Sequence, residues 1–292
     1  MNLATVVSRV VMECDLEAST VKQYHRAVQR FSEFLGRPAI TVDLTHDNIN
    51  GFLVALKERK LQNTTIRNYR VCLTRFWNFL TEVENYPEYS IRRLRRPKAN
   101  VKPVYSWQPD EVEILLRASQ DLLKKLRCGI DESEFMAAWI QVGYDTGIRP
   151  VDLRLLTWDE VNFHTATVAI SQHKTGVPHT GSLSVDSIAA LLRIQNPERD
   201  RVFPLTKGGM RRLELALFRE AKRHGFTRRF GQGIGTLRKT HATAIYIEEG
   251  EVAAAESLGH KGGVRTVRAS YIDHRAVKKG RLPVRIGKAK GF

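Results

Sequence analysis

The stretch from Ile91 to Lys102 constrains the chain most. It holds Arg92, Arg93, Arg95, Arg96, Lys98 and Lys102, no carboxylate, Pro97 within it and Pro103 directly after. Proline removes a backbone donor and like charges repel, so such a segment is expected to be extended and to separate two packed pieces. A chain of 292 residues divided there gives two domains of ordinary size. The expected boundaries are a first domain over 1–97, a basic linker over 98–104 and a second domain over 105–292 that ends in a basic tail. A linker of this kind is either a spacer or, between two cationic domains, a segment laid along a phosphate backbone.

The first domain reads as four helices joined by short polar turns. Leu3, Val6, Val7, Val10 and Val11 repeat at helical spacing. Thr20 and Gln23 fit a capping box for a second helix, with Val21, Tyr24, Val28, Phe31 and Leu35 on one face and Gly36 and Pro38 at its end. Thr45 looks like the cap of a third, and Asn63 or Thr64 starts a fourth carrying Ile66, Tyr69, Leu73, Phe76 and Leu80. The aromatic residues fall at core spacing, so they are read as packing and not as base-stacking platforms. Lys22, Arg26, Arg30, Arg67 and Arg70 are left for the outer faces.

The second domain also reads as mainly helical. Pro109 and Pro150 sit at helix starts, where a missing N–H costs nothing. Val168-Ala169-Ile170 and Leu183-Ser184-Val185 read as short strands with Lys174-Thr175-Gly176 as the turn between them. Helices are expected over Ile188–Ile194, Met210–His224, Leu237–Glu248 and Val252–Leu258.

Charge narrows the partner. Lys plus Arg is 47 against 31 Asp plus Glu, a net charge of +16, which predicts a polyanion, most often nucleic acid. Cys14, Cys72 and Cys128 are odd in number and far apart, which suits a reducing cytoplasm and suggests neither a disulfide framework nor a zinc site. No apolar run reaches the length of a membrane span, and Met1–Glu13 lacks the features of a signal peptide.

The chemistry-bearing residues are scattered. Leu258-Gly259-His260 reads as a helix stop followed by a histidine, and a Gly262-Gly263 loop leads to a turn of helix ending near Tyr271. A phenol among cations is either a packed amphipathic side chain or a nucleophile toward phosphorus. Arg149, before Pro150, stands at a helix N-terminus, a setting that suits an anion. Asp152 in that first turn either orients Arg149 or favours the helix dipole. Arg238 starts another helix, and two guanidinium forks on one phosphate would stabilise the charge of a five-coordinate phosphorus. Lys174 at a hairpin tip is either a solvated turn residue or a proton donor to a leaving oxygen.

In combination these motifs resemble the tyrosine recombinase (phage integrase) family: Thr-Gly-Ile-Arg149 with Asp152-Leu153, Lys174-Thr-Gly after a strand, Leu-Arg238-Lys-Thr with Ala242-Thr243, Leu-Gly-His260, then Tyr271. The resemblance covers about residues 3–280. It implies an N-terminal four-helix core-binding domain of SAM-like type. It also implies a helical catalytic domain with a small antiparallel sheet, the two closing as a C-shaped clamp on DNA. It implies a site-specific DNA recombinase or integrase in which Tyr271 attacks the scissile phosphate and forms a 3′-phosphotyrosyl link. Arg149 and Arg238 then hold the non-bridging oxygens, Lys174 is the general acid toward the 5′-oxygen and His260 hydrogen-bonds the phosphate. No metal and no cofactor are needed, because the covalent link conserves the bond energy. The implied partners are double-stranded DNA, further copies of the chain as a homotetramer on two duplexes, and accessory DNA-bending proteins. The implied setting is the cytoplasm of a bacterial, phage or mobile-element host cell. Arg92, Arg93, Arg95, Arg96 and Lys98 are the expected backbone contacts.

One departure stands out. The family usually has histidine three residues before the second arginine, where this chain has Gly235. His241, one turn beyond Arg238, is the candidate to support the site, with Lys239 and His173 as others, though His241 also fits a packing role. If nothing compensates, the chain is a DNA-binding architectural protein of the same fold with a decayed site. A type IB topoisomerase activity would share the chemistry.

Overall fold

The structure is a computed structural model describing residues 1–98, 103–229, 231–259 and 263–277. The chain forms two compact units, Met1–Lys102 and Pro103–Phe292.

The first unit has the four expected helices: α1 (Leu3–Glu13), α2 (Ala18–Leu35), α3 (His46–Glu58) and α4 (Asn63–Glu84). Asn2 caps α1, its side chain accepting from the Ala4 N–H, and Thr45 caps α3 by accepting from the Asn48 N–H at 3.2 Å. The capping box expected at Thr20 is not used. Helix α2 already begins at Ala18, and the Thr20 N–H bonds the Glu17 carbonyl at 2.8 Å. Gly36 ends α2 at φ +71°, a conformation with no steric cost for glycine. Val6, Val10, Phe31, Phe52, Leu53, Leu73 and Phe76 interlock in the core. Phe31 and Phe52 meet edge-on with centroids 5.3 Å apart, and Phe52 meets Tyr69 at 5.8 Å, so these rings serve packing.

The basic stretch departs from expectation. Its first part is fastened to the bundle. Leu94 is buried in the core, and the Asn50 carboxamide donates to the Arg93 carbonyl and accepts from the Arg95 N–H at 2.9 and 2.8 Å. Asn63 Nδ2 donates to the Lys98 carbonyl at 2.6 Å. One apolar side chain and two asparagines outweigh the tendency to extend, while Arg92, Arg93, Arg95, Arg96 and Lys98 keep their charges toward the surface.

The second unit runs α5 (Pro109–Gln120), α6 (Glu132–Thr146), α7 (Pro150–Leu155), β1 (Val161–Asn162), β2 (Thr167–Ser171), β3 (Pro178–Ser182), α8 (Val185–Ile194), α9 (Lys207–Arg223), α10 (Thr236–Glu249), α11 (Glu251–Ser257), α12 (Gly263–Ser270) and α13 (His274–Val277). The strands form an antiparallel sheet in the order β1-β2-β3, with Ala169 opposite Thr180. The third strand is a correction. Leu183-Ser184-Val185 is not a strand: Ser184 caps α8 through the Ser187 N–H, and β3 lies just before it. The inward positions of β3 are His179 and Gly181. A β-carbon on Gly181 would fall 2.6 Å from Thr146 Cβ, so close packing on α6 selects this segment over one richer in β-branched residues.

The main core centres on α6, whose Phe135 and Trp139 pack against Phe203 with centroids 5.3 and 5.0 Å away. A smaller apolar cluster joins Ala242, Ala254, Ala255, Leu258, Val267 and Ile272. Helix α10 passes from one to the other: Leu237 belongs to the main core and Ala242 to the small cluster. Arg238, Thr240, His241 and Thr243 are buried on the same helix. Among the described residues no helix is long and apolar enough to cross a membrane.

Candidate active site

Two chain reversals create the site. Gly147, at φ +59°, ends α6, and Pro150 opens α7, which leaves Arg149 as the residue capping that short helix. Gly259, at φ +54°, follows α11 and turns the Leu258 carbonyl inward.

Arg238 reaches both turns. Its Nη1 donates to the Gly147 carbonyl at 2.6 Å and its Nη2 to the Leu258 carbonyl at 2.9 Å. The side chain is only 3% exposed, and its Nε has no partner among the described residues. Burial, then the charge of Arg149, lowers its pKa to about 10, so it remains a cation at neutral pH. The Tyr271 ring centroid lies 5.2 Å from the Arg238 guanidinium carbon. Tyr271 itself is half-buried just past α12, with its N–H on the Val267 carbonyl at 2.8 Å.

Arg149 Nη1 donates to Oε1 of Gln172, a side chain 1% exposed at the end of β2. The same carboxamide donates through Nε2 to the Leu258 carbonyl at 2.9 Å. Arg149, Gln172, the Leu258 carbonyl and Arg238 therefore form one chain of hydrogen bonds that runs beside Tyr271. Asp152, also buried, sits in the first turn of α7 as the dipole reading expects, and its bond goes not to Arg149 but to the His173 backbone N–H, from which it accepts at 3.0 Å, so it ties α7 to the β2–β3 turn. That turn closes through the Thr175 and Gly176 N–H groups on the Gln172 carbonyl, and Lys174 stands exposed on it.

The histidines differ from one another. His241 Nδ1 donates to the Tyr144 carbonyl at 2.9 Å, its Nε2 is buried without a partner among the described residues, and burial takes its pKa down to about 4. It is a neutral packing ring under Gly147, where a β-carbon would fall 2.4 Å from its Cδ2. His179 Nε2 donates to the Thr146 carbonyl at 3.1 Å, and burial lowers its pKa as well. His260 lies outside the described residues, as does the tail from 278 onward. Gly235 precedes α10, and a β-carbon there would meet Pro150 Cγ at 3.3 Å, so that position faces the start of α7 beside Arg149.

Behind Tyr271 the chain is held by Asp273, which is 1% exposed. Its carboxylate accepts from the Ser106 N–H at 2.9 Å and from Arg275 at 3.0 and 2.6 Å. Burial pushes this carboxyl up, but these bonds hold it below its ordinary value. Among the described residues no cluster of His, Cys, Asp or Glu could hold a metal.

The site thus brings Arg149, Arg238, Asp152 and Tyr271 together, with Lys174 exposed on the adjoining turn. Sequence reasoning missed Gln172, His179 and the Leu258 carbonyl, because a lone amide, a strand histidine and a backbone oxygen carry no pattern of their own.

Residues 107–277 match the phage integrase family, and residues 8–84 match the phage integrase N-terminal SAM-like domain. The tyrosine recombinase XerC of Roseiflexus castenholzii (strain DSM 13941 / HLO8) is 28% identical over 152 residues, covering 51% of this chain and 46% of that protein. The chain spans about half the length of the curated relatives it matches. In fold it is similar to lambda integrase (75-356), crystallised as a dimer bound to a COC′ core site. There the TM-score is 0.74 at 17% identity, covering 97% of this chain and 100% of that one. It is also similar to a lambda integrase tetramer bound to a Holliday junction, with TM-score 0.69 at 16% identity, covering 89% and 78%. With more than half of its residues matched, the chain belongs to the phage integrase family.

Proposed function

We propose that this protein is a site-specific DNA recombinase, or integrase, that cuts and rejoins duplex DNA through a 3′-phosphotyrosyl intermediate. The observation that carries the reading is the Tyr271 ring beside the buried Arg238 cation, which is linked to Arg149 through one carbonyl and the Gln172 amide. A free phenol ionises near pH 10, so at neutral pH it needs cationic neighbours to act as a nucleophile. Tyr271 gives up its phenolic proton to solvent as its Oη forms a bond to phosphorus and the bond to the 5′-oxygen breaks. Arg149 and Arg238 stabilise the charge on the non-bridging oxygens. Lys174, on an exposed turn, gives its proton to the departing 5′-oxygen, and His260 donates a hydrogen bond to the phosphate. Rejoining is the reverse attack by a 5′-hydroxyl, which needs no cofactor.

The first unit and the cations at Arg92, Arg93, Arg95, Arg96 and Lys98 follow the phosphate backbone of double-stranded DNA. A homotetramer on two duplexes is the working assembly, and the lambda integrase tetramer on a Holliday junction supports it. The place of action is the cytoplasm, where the DNA is. The test is a nicked suicide duplex carrying the sequence that the full chain enriches from a random pool. The wild type is expected to become covalently attached, and Tyr271→Phe to bind equally and form no adduct. An adduct that survives the substitution would remove Tyr271 from the mechanism.

A further inference from the structure

Gln172 is the only side chain bonded both to Arg149 and to the carbonyl that holds Arg238, among the described residues. Its place in the chain is equally particular. It lies two residues before Lys174, and the carbonyl it grips lies two residues before His260. Its backbone carbonyl closes the turn that carries Lys174, and its Oε1 also accepts from Thr175 Oγ1 at 3.0 Å. A β-carbon on Gly259 would come within 2.7 Å of its Nε2, so the glycine there leaves room for this amide.

The chemistry of an amide matters as much as its position. Oε1 can only accept and Nε2 can only donate, which matches a guanidinium on one side and a carbonyl on the other. A carboxylate of the same shape would meet the Leu258 oxygen with a second acceptor. It would also pair with Arg149 and cancel the charge that a phosphate must find there. An alkyl side chain would release both partners.

We propose that Gln172 is a positioning residue of the strand-transfer site: its buried carboxamide fixes Arg149, Arg238 and the Lys174 turn in one frame while leaving the guanidinium charge free for the scissile phosphate. This inference rests on the recombinase reading above. It assigns to Gln172 a role in chemistry through Arg149, with no contact to DNA of its own.

The experiment compares Gln172→Glu and Gln172→Met with the wild type on the same selected suicide duplex, following single-turnover adduct formation from pH 5 to pH 8.5. Duplex affinity and the thermal midpoint are recorded for each. At pH 8 both variants are expected to bind within about threefold of wild type, since one contact among many is disturbed, and to form adduct at least about 30-fold more slowly. As pH falls, the carboxylate introduced by Gln172→Glu takes up a proton and regains the neutral donor–acceptor pattern of the amide. The wild-type to Gln172→Glu ratio should then shrink toward one, while the Gln172→Met ratio stays constant. Equal rates at pH 8, or a Gln172→Glu defect of the same size at every pH, would overturn the proposal and leave Gln172 as packing. A wild type that forms no adduct would instead remove the recombinase reading, and the inference with it, whereas a defect confined to the variants bears on Gln172 alone.

Discussion

The two units bury different things. In the first, the buried polar side chains among the described residues are Thr41 and Asp43, and Asp43 is met by a two-pronged Arg37 at 2.7 and 2.6 Å. Its helices turn apolar faces inward and leave their cations outside. In the second, Asp152, Gln172, His179, Arg238, His241 and Asp273 are all buried. Burying polar groups destabilises a fold unless each is bonded, and here most of the bonds run to main-chain carbonyls and N–H groups, with Arg149 on Gln172 and Arg275 on Asp273 adding side-chain partners. A four-helix bundle can be built from hydrophobic pattern alone. The second unit instead holds the Arg238 cation beside the Tyr271 ring through polar bonds, and five experiments bear on that contrast.

The largest expected effect falls on the outer charges. If six to ten phosphates are contacted, affinity for duplex DNA should fall about 10³- to 10⁵-fold between 50 and 200 mM salt. Replacing Arg92, Arg93, Arg95 and Arg96 by glutamine should flatten that slope without moving the thermal midpoint. A flat response in the wild type would deny the exposed face of the first unit its role.

Phe76→Ala removes a fully buried ring from the bundle and should cost the first unit about 3–5 kcal/mol in chemical denaturation. Adduct formed per folded, bound molecule should not change. Arg238→Met should do the opposite, lowering the adduct rate about 10²- to 10³-fold while the bundle keeps its stability. Removing the cation also takes the Arg238 donor from the Gly147 carbonyl and leaves the Leu258 carbonyl with Gln172 alone, so local opening near α10 should rise in hydrogen exchange.

Acid should separate the units. His241 is neutral in the fold because burial lowers its pKa to about 4, below the ordinary histidine value of about 6.5. The unfolded chain then binds the extra proton over that interval. The contribution is complete above about pH 6.5 and is lost as pH falls toward 4, by as much as about 3 kcal/mol. His179 acts in the same direction. Asp43 is held below the usual carboxylate range by its bond to Arg37, so the first unit keeps that contribution until lower pH. Hydrogen exchange on the full chain at pH 7 and pH 5 should show the second unit loosening first, and simultaneous loosening would contradict the assignment. The smallest expected effect is that of Lys174→Ala on stability, below about 0.5 kcal/mol, because the side chain is exposed. A larger loss would mean that the lysine packs.

What can be read from the sequence follows the same division. The bundle is legible almost to the residue because its helices have one apolar stripe each, and Gly36 and Thr45 punctuate as their chemistry requires. The Thr20 box misleads because α2 starts earlier, at Ala18, and the frame of Ile91–Lys98 misleads because a single leucine and two asparagines decide it. In the second unit the turn at Lys174 is legible and the strand after it is not. Pro178, His179 and Gly181 have little strand propensity, and they pair because the α6 surface accepts only a small inner face. Arg149, Arg238 and Tyr271 stand out as motif residues, but the amide that joins the two arginines is invisible, since its role exists only once distant turns have met.

The bond between Ser106 and Asp273 spans 167 positions. Closing so long a loop is entropically costly and belongs late in folding, after the local helices have formed. During synthesis the first half of this latch emerges early and waits for nearly the whole unit to follow. The segment bearing Tyr271 is thus seated only once the chain has been made through Asp273. On the proposed chemistry, a chain that stops short of Asp273 lacks the latch that seats its nucleophile.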